Sequence, residues 1–106
     1  MSLLGLFYKT DINDDVEKAR SIPGAVLLDV RRKDEYAAGH IPGSINLPLQ
    51  EIDDIERVVS DKETPVFVYC LSGIRSGQAV SALKKHGYSR AENIGGIRSY
   101  GGPVQK

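Results

Sequence analysis

The sequence predicts an α/β domain in three layers, with a mostly parallel sheet between two layers of helices. Two observations lead to this prediction. Two apolar runs, residues 25–30 and 65–69, are continuous rather than alternating, which is typical of strands covered on both faces. Amphipathic segments alternate with these runs, which favours parallel strands joined by right-handed crossovers. With 106 residues, the chain has the length of one domain.

A helix is predicted before the first apolar run. It has acidic residues in its first turn, where they complement the helix dipole, and it ends at Pro23-Gly24. Its apolar residues recur at helical spacing: Ile12, Val16 and Ala19. Short strands are expected over residues 7–9, before this helix, and over residues 44–47, after the first apolar run. The order of elements in this half therefore fits the alternation of an α/β fold.

Two more helices are predicted around the second apolar run. The later one has basic residues in its last turn and stops at Gly87, a candidate left-handed cap. Their apolar positions are Ile52, Ile55 and Val59 in the earlier helix, and Ala79, Val80 and Leu83 in the later one. A last short strand is expected over residues 91–94. The second half therefore continues the same alternation.

Composition excludes several classes of function. Lys plus Arg and Asp plus Glu number 14 each, so charge gives no case for nucleic acid or an anionic membrane as a partner. A single cysteine excludes an internal disulfide and a CxxC metal or redox pair, and it fits a reducing, cytoplasmic compartment. No nucleotide-binding glycine motif is present, and we expect neither a cofactor nor a metal. Residues 1–6 are expected to be an N-terminal extension or a cloning remnant, and residues 7–106 the domain.

The single cysteine, Cys70, directly follows the second apolar run and precedes a glycine-bearing loop. Ligands of open α/β sheets bind beyond the carboxyl ends of the strands, which is where Cys70 is expected. Gly73 allows the loop to curl, so that N–H groups at the start of the next helix, near Arg75 or Ser76, converge on an anion. A thiolate is such an anion. A free cysteine at this position can also be simple packing, but the loop that follows favours chemistry.

A second segment, residues 27–48, is expected to flank Cys70. Asp29 and Arg31 follow the first apolar run, where an adjacent parallel strand ends. Asp29 is interpreted as an acceptor that supports the loop. His40 is interpreted as a hydrogen-bonded loop residue rather than a base. For Arg31, a substrate-binding role stands beside a structural one, a salt bridge to Asp29 or Glu35.

Together these segments closely resemble the rhodanese family of single-domain sulfurtransferases. The pattern D-V-R-x-x-x-E-Y-x-x-G-H-I-P-G-S-x-N-L-P is present over residues 29–48, and a Cys followed by S-G-x-R-S is present over residues 70–76. A late G-G-x-x-x-aromatic motif spans residues 95–100. The resemblance implies a five-stranded, mostly parallel sheet with helices on both faces. The chain departs from the family pattern in two places. Tyr100 stands where Trp is common, and a G-x-P-V ending, residues 101–104, follows it directly, whereas the family usually has several residues between the two.

The resemblance also implies a chemistry. Cys70 is implied as a nucleophile that takes a sulfane sulfur from a small donor such as thiosulfate and carries it as a persulfide. The acceptor is then cyanide, a thiol or a partner protein. The loop around the sulfur and Arg31 are expected to bind the substrate. The loop residues are Leu71, Ser72, Gly73, Ile74, Arg75 and Ser76.

Two other functions stay open. Cysteine phosphatases have five residues between the Cys and the Arg of their loop, whereas residues 71–74 are four, which makes the ring too tight for a phosphate. A non-catalytic, regulatory module of the same fold is the main alternative, and the intact cysteine argues against it.

Overall fold

The computed structural model describes residues 11–106, which form a parallel sheet with helices on both faces. The strands are β1 (Val26–Asp29), β2 (Ile45–Asn46), β3 (Val66–Cys70) and β4 (Ala91–Gly96). The helices are α1 (Ile12–Ser21), α2 (Lys33–Ala38), α3 (Ile55–Val58) and α4 (Ile74–Lys85). Single stretches of 3-10 helix cover Leu49–Asp54 and Ile97–Ser99. The predicted fold class is confirmed.

The strands lie in the order β2-β1-β3-β4, and each neighbouring pair is parallel. The described residues therefore contribute four strands to the sheet. The fifth strand expected for the fold, over residues 7–9, lies outside the described residues. Strand β3 is central and all five of its residues are buried, as its continuous apolar run predicts.

Two clusters of apolar side chains cover the two faces of the sheet. On one face, Ile12, Val16 and Ala19 of α1 pack with Phe67 and Ile94 of the sheet. On the other face, side chains of the 3-10 segment, α3 and α4 pack on the opposite side of the same strands. That second cluster includes Leu28, Val68, Ile52, Ile55, Ala79 and Leu83. The sheet is thus the middle of three layers, as the alternation predicts.

The helix predicted around Ile52, Ile55 and Val59 differs from the observed structure. The chain forms a 3-10 helix over Leu49–Asp54 and continues as one short α-helical turn over Ile55–Val58. Ile52 and Ile55 are both buried, and residues three apart lie on one face of a 3-10 helix. The apolar spacing identified the buried positions correctly, but it did not distinguish the two helix types.

The remaining differences are at the ends of elements. Strand β3 extends to Cys70, one residue beyond the predicted apolar run, and α4 begins at Ile74 rather than near Arg75. The short helix α2 was not predicted. Gly87 follows α4 with φ of 95°, as expected for a left-handed cap. His40 is hydrogen-bonded through Nδ1 to the Tyr36 carbonyl at 2.8 Å, which agrees with its interpretation as a loop residue.

Candidate active site

Cys70 is the last residue of the central strand and opens the loop that leads into α4. Its side chain lies at the carboxyl edge of the sheet, and the residue is 1% exposed. Neighbouring strands end at the same edge, because Asp29 closes β1 and Gly96, which pairs with Cys70, closes β4. This is the edge at which open α/β sheets bind their ligands.

The Cys70 sulfur is hydrogen-bonded to the loop and to the start of α4. The Gly73 N–H donates to Sγ at 3.0 Å, and the Ser76 hydroxyl lies 3.4 Å from Sγ. Gly73 reaches this position with φ of 106°, a left-handed conformation that glycine adopts without a steric penalty. Because Gly73 is also the residue before α4, the sulfur sits against the N-terminus of a twelve-residue helix.

The surroundings of Cys70 act on its pKa in opposite directions. Burial raises the pKa of the thiol, because it disfavours the charged form. Hydrogen bonds from the Ser76 hydroxyl and from the backbone N–H groups of Ser76, Gly73 and Ser72 lower it. The hydrogen bonds prevail, and the net effect is a lowered pKa. A lowered pKa favours the thiolate form of Cys70.

Arg75, in the first turn of α4, forms a bidentate ion pair with Glu35 of α2. The two N···O distances are 2.7 and 3.1 Å. The Arg75 hydrogen bonds lower the pKa of Glu35 to about 2, so this carboxylate is charged at neutral pH. The Arg75 side chain is 31% exposed, so it is partly accessible to solvent at the edge of the site.

Arg31 lies deeper than Arg75. Its guanidinium makes hydrogen bonds of 2.8 to 3.1 Å to both carboxylate oxygens of Asp29, and it donates to the Gly39 carbonyl at 2.7 Å. The two side chains are 6% and 0% exposed. Asp29 also accepts the Arg31 backbone N–H at 2.9 Å. This is the structural salt bridge that the sequence left open as the alternative for Arg31.

The other loop residues form the exposed rim of the site. Leu71 is 41% exposed and Ile74 is 73% exposed, which makes them two of the few large apolar side chains at the surface of the described residues. Ser72 is also exposed, whereas Ser76 is fully buried under the loop. The sequence predicted these residues as one group around Cys70, and their exposure divides them into an exposed rim and a buried floor.

Two residues of β4 belong to the site and were not singled out for it. Asn93 accepts a hydrogen bond from the Ser76 hydroxyl at 2.7 Å, and its amide donates to the Gly73 carbonyl at 3.1 Å. Gly96 lets the loop approach, because a Cβ there would lie 2.0 Å from the Leu71 carbonyl oxygen. The glycine pair at the end of a predicted strand was the available signal, since glycine in a strand often marks a close approach of backbone.

Neither a metal centre nor a membrane-spanning helix is found in the described part of the chain. Across residues 11–106, His, Cys, Asp and Glu side chains do not group in a way that could hold a metal ion. No helix among the same residues is long and apolar enough to cross a bilayer.

Comparisons with known proteins agree with this geometry. The chain is 41% identical over 80 residues to the thiosulfate sulfurtransferase PspE of Escherichia coli (strain K12), and the match covers 74% of this chain and 77% of that protein. It is 37% identical over 79 residues to the thiosulfate:glutathione sulfurtransferase of Saccharomyces cerevisiae (strain ATCC 204508 / S288c), and this match covers 63% of this chain and 57% of that protein. The chain thus spans less than two thirds of the yeast enzyme. These named relatives support sulfurtransferase activity.

The comparisons also place the fold within one family. A structure described as a rhodanese with anions from E. coli superposes with a TM-score of 0.72 at 40% identity, and it covers 77% of this chain and 98% of that one. The model of the Rhodanese-like domain matches residues 12–101, a range that contains Cys70, both paired arginines and the strand that carries Asn93. The chain therefore belongs to the rhodanese-like domain family.

Proposed function

We propose that this chain is a sulfurtransferase in which Cys70 carries the transferred sulfur as a persulfide. The observation that carries the proposal is the cradle around Cys70, a buried sulfur that receives the Gly73 N–H at 3.0 Å at the N-terminus of α4. An anion at this position is stabilised by unpaired backbone N–H groups and by the helix dipole. The same cradle suits a persulfide, whose outer sulfur is also anionic.

The proposed reaction has two steps. In the first, the Cys70 thiolate attacks the sulfane sulfur of thiosulfate, a new S–S bond forms, and the old S–S bond breaks with its electron pair leaving on sulfite. In the second, an acceptor nucleophile attacks the outer sulfur of the persulfide, and the Cys70 thiolate is released. This is covalent, ping-pong catalysis. Once the thiolate has formed, neither step requires a general base, and none is assigned.

A lowered thiol pKa by itself gives only a small gain in the rate of sulfur transfer. Lowering a thiol pKa from about 8.5 to about 6.5 raises the thiolate fraction at pH 7 by roughly 25-fold. Nucleophilicity falls by roughly 8-fold over the same change, so the net gain is about 3-fold. The larger contribution is expected from donors held in place for the transferring sulfur and the leaving sulfite, since one such donor is worth about 3 kcal/mol in acyl transfer. We assign these roles to the Gly73 N–H and to the exposed part of Arg75.

Intact-mass measurement after incubation with thiosulfate tests the proposal. Since Cys70 is the only cysteine of the chain, one added sulfur atom has a single thiol to occupy. We expect a mass gain of one sulfur in the parent protein, reversed by cyanide or by glutathione, and no gain in Cys70→Ser. A Cys70→Ser protein that still turns over thiosulfate and cyanide at the parent rate would end the proposal.

The same preparation separates the two other functions. An aryl phosphate should be hydrolysed no faster than in buffer, because four residues between Cys70 and Arg75 leave no room for a tetrahedral phosphate. Cys70-dependent hydrolysis without sulfur loading would replace sulfur transfer with a phosphatase. A folded protein that takes up no sulfur from thiosulfate or glutathione persulfide would instead support a regulatory module.

The finer part of the proposal concerns donor and acceptor. Thiosulfate is proposed as a donor because the rim carries a partly exposed arginine, Arg75. A guanidinium can donate two parallel hydrogen bonds to a sulfonate group. A thiol, cyanide or a partner protein is proposed as the acceptor. Loading the protein with thiosulfate, removing excess donor and then adding cyanide or glutathione separately measures each transfer on its own. We expect loss of the added sulfur with both small acceptors.

A further inference from the structure

The Ser76 hydroxyl lies between the reactive sulfur and an amide on β4. It is fully buried, with Cys70 Sγ at 3.4 Å on one side and Asn93 Oδ1 at 2.7 Å on the other. A serine hydroxyl has one proton to donate, so it cannot serve both partners at once. The proton can therefore be donated either to the sulfur or to Asn93, but only to one of them at a time.

The orientation of the Asn93 amide is set by its other neighbours. Its Nδ2 donates to the Gly73 carbonyl at 3.1 Å, and its Oδ1 accepts the Gly95 N–H at 3.0 Å. Exchanging the two amide atoms would place a donor against a donor and an acceptor against an acceptor. Oδ1 is therefore the atom that faces Ser76, and it competes with the sulfur for the hydroxyl proton.

We propose that Asn93 is a positioning residue that controls the ionisation of Cys70 through the Ser76 hydroxyl. While Cys70 is a thiol, its S–H can donate to Ser76 Oγ, and Ser76 donates to Asn93. When Cys70 ionises, the hydroxyl turns and donates to the thiolate. Asn93 is an exposed residue, and its Oδ1 keeps the Gly95 N–H as a donor, so the turn leaves Oδ1 hydrogen-bonded.

The competition between Asn93 and the sulfur for the Ser76 proton should change the pKa of Cys70 in a direction that can be measured. The hydrogen bond between Ser76 and Asn93 stabilises the thiol form, because it is lost when the hydroxyl turns to the thiolate. Removing the Asn93 oxygen should therefore make ionisation easier wherever Ser76 is present. The Gly95 carbonyl, 3.5 Å from Ser76 Oγ, is a longer and weaker alternative acceptor. This inference rests on the proposed function only in treating the Cys70 thiolate as the reactive form.

Charged groups around the loop act on Cys70 as well. Arg75 interacts electrostatically with the sulfur from α4 and is paired with Glu35 of α2. The buried pair of Asp29 and Arg31 lies at the end of the neighbouring strand β1. On β4, the side that carries the proposed control, the residues that contact Ser76 are neutral. Since none of these charges changes in the test, their contributions cancel.

The test is a double-mutant cycle on the pKa of Cys70, measured from the ultraviolet absorbance of the thiolate. The four proteins are the parent, Asn93→Ala, Ser76→Ala and the double variant. Because the chain has one cysteine, the absorbance reports Cys70 once the tyrosine background of the Cys70→Ser protein has been subtracted. Ser76→Ala should raise the pKa, because it removes a donor to the thiolate.

The decisive quantity is the effect of Asn93→Ala in each background. Asn93→Ala should lower the Cys70 pKa by about 0.5 to 1 unit more when Ser76 is present than in the Ser76→Ala background, because one neutral hydrogen bond is lost only when Ser76 is present. Loosening of Gly73 alone would act equally in both backgrounds. An equal shift in the two backgrounds, or coupling of the opposite sign, would overturn the proposal. The cycle needs no sulfur transfer, so its outcome is independent of whether thiosulfate loads Cys70.

A second measurement avoids folding defects of the variants. In isotope-labelled parent protein, the side-chain amide resonances of Asn93 should move with a midpoint at the Cys70 pKa, and they should not do so in Cys70→Ser. Asn93 resonances that stay in place while Cys70 titrates would overturn the proposal, because the hydroxyl would then never leave Asn93.

Discussion

Two arginine–carboxylate pairs near Cys70 have the same chemistry but different surroundings. The pair of Arg31 and Asp29 is buried, with side chains 6% and 0% exposed, and Arg31 also holds the Gly39 carbonyl. The pair of Arg75 and Glu35 lies at the rim, with side chains 31% and 16% exposed. Solvent therefore reaches the rim pair but hardly reaches the buried pair.

The difference indicates which arginine is available for a substrate. A guanidinium that leaves a buried carboxylate would strand an unpaired charge, which costs several kcal/mol. A guanidinium at a partly exposed pair can share its donors with an anion at a much smaller cost, since exposed ion pairs are worth about 0 to 1 kcal/mol. The geometry therefore favours a structural role for Arg31 and a binding role for Arg75.

The largest effect is expected when the buried pair is broken. Arg31→Ala leaves Asp29 charged and unpaired in the interior, so the free energy of unfolding should fall by about 3 to 5 kcal/mol. Urea denaturation measures this loss. The control is Arg32→Ala, which removes a neighbouring arginine whose side chain is 61% exposed and should leave the free energy of unfolding nearly unchanged.

Activity of the folded Arg31→Ala protein sharpens the comparison. We expect kcat/KM for thiosulfate, corrected for the folded fraction, to change little. If instead kcat/KM fell ten-fold while the melting temperature stayed at the parent value, Arg31 would bind the donor and the distinction between the two pairs would be lost.

The second effect is expected at the rim pair and in activity rather than stability. Arg75→Ala should lower kcat/KM for thiosulfate by about ten-fold, since a charge-assisted hydrogen bond contributes roughly 1.5 to 3 kcal/mol. The melting temperature should change little. Steady-state kinetics with cyanide as acceptor measures the change, and the control is Arg57→Ala, an arginine of α3 that is 67% exposed and pairs with Asp54. Unchanged kcat/KM in Arg75→Ala would assign the rim pair to structure alone.

The smallest effect is the pH dependence of the rim pair. The pKa of Glu35 is lowered to about 2 by Arg75, so the pair contributes stability above the ordinary pKa of 4.5 and loses it as pH falls towards 2. Because Arg75 is partly exposed, solvent screens the contribution to about 1 kcal/mol or less. The difference in unfolding free energy between the parent and Glu35→Gln should shrink between pH 6 and pH 3. A difference that is constant or grows over this range would contradict the lowered pKa.

Much of the fold and the place of the site could be predicted from the chain alone. The continuous apolar runs identified β1 and β3, because strands buried on both faces need apolar residues at every position. The apolar spacing of Ile12, Val16 and Ala19 identified α1. Cys70 was placed at the carboxyl end of a central strand by its position after such a run, and Gly73 identified the turn of the loop.

Tertiary structure decided which partners the charged and polar side chains have. Arg75 is forty residues from Glu35 in sequence, and Asn93 is seventeen residues from Ser76, so neither contact has a local signal. Both depend on parallel strands that bring segments far apart in sequence to one edge of the sheet. Both arginines could be identified in the sequence, but how deeply each is buried could not, because burial depends on how elements far apart in sequence pack. Local patterns therefore determined the scaffold and the position of Cys70, while the partners of each arginine and of Asn93 required the packed sheet.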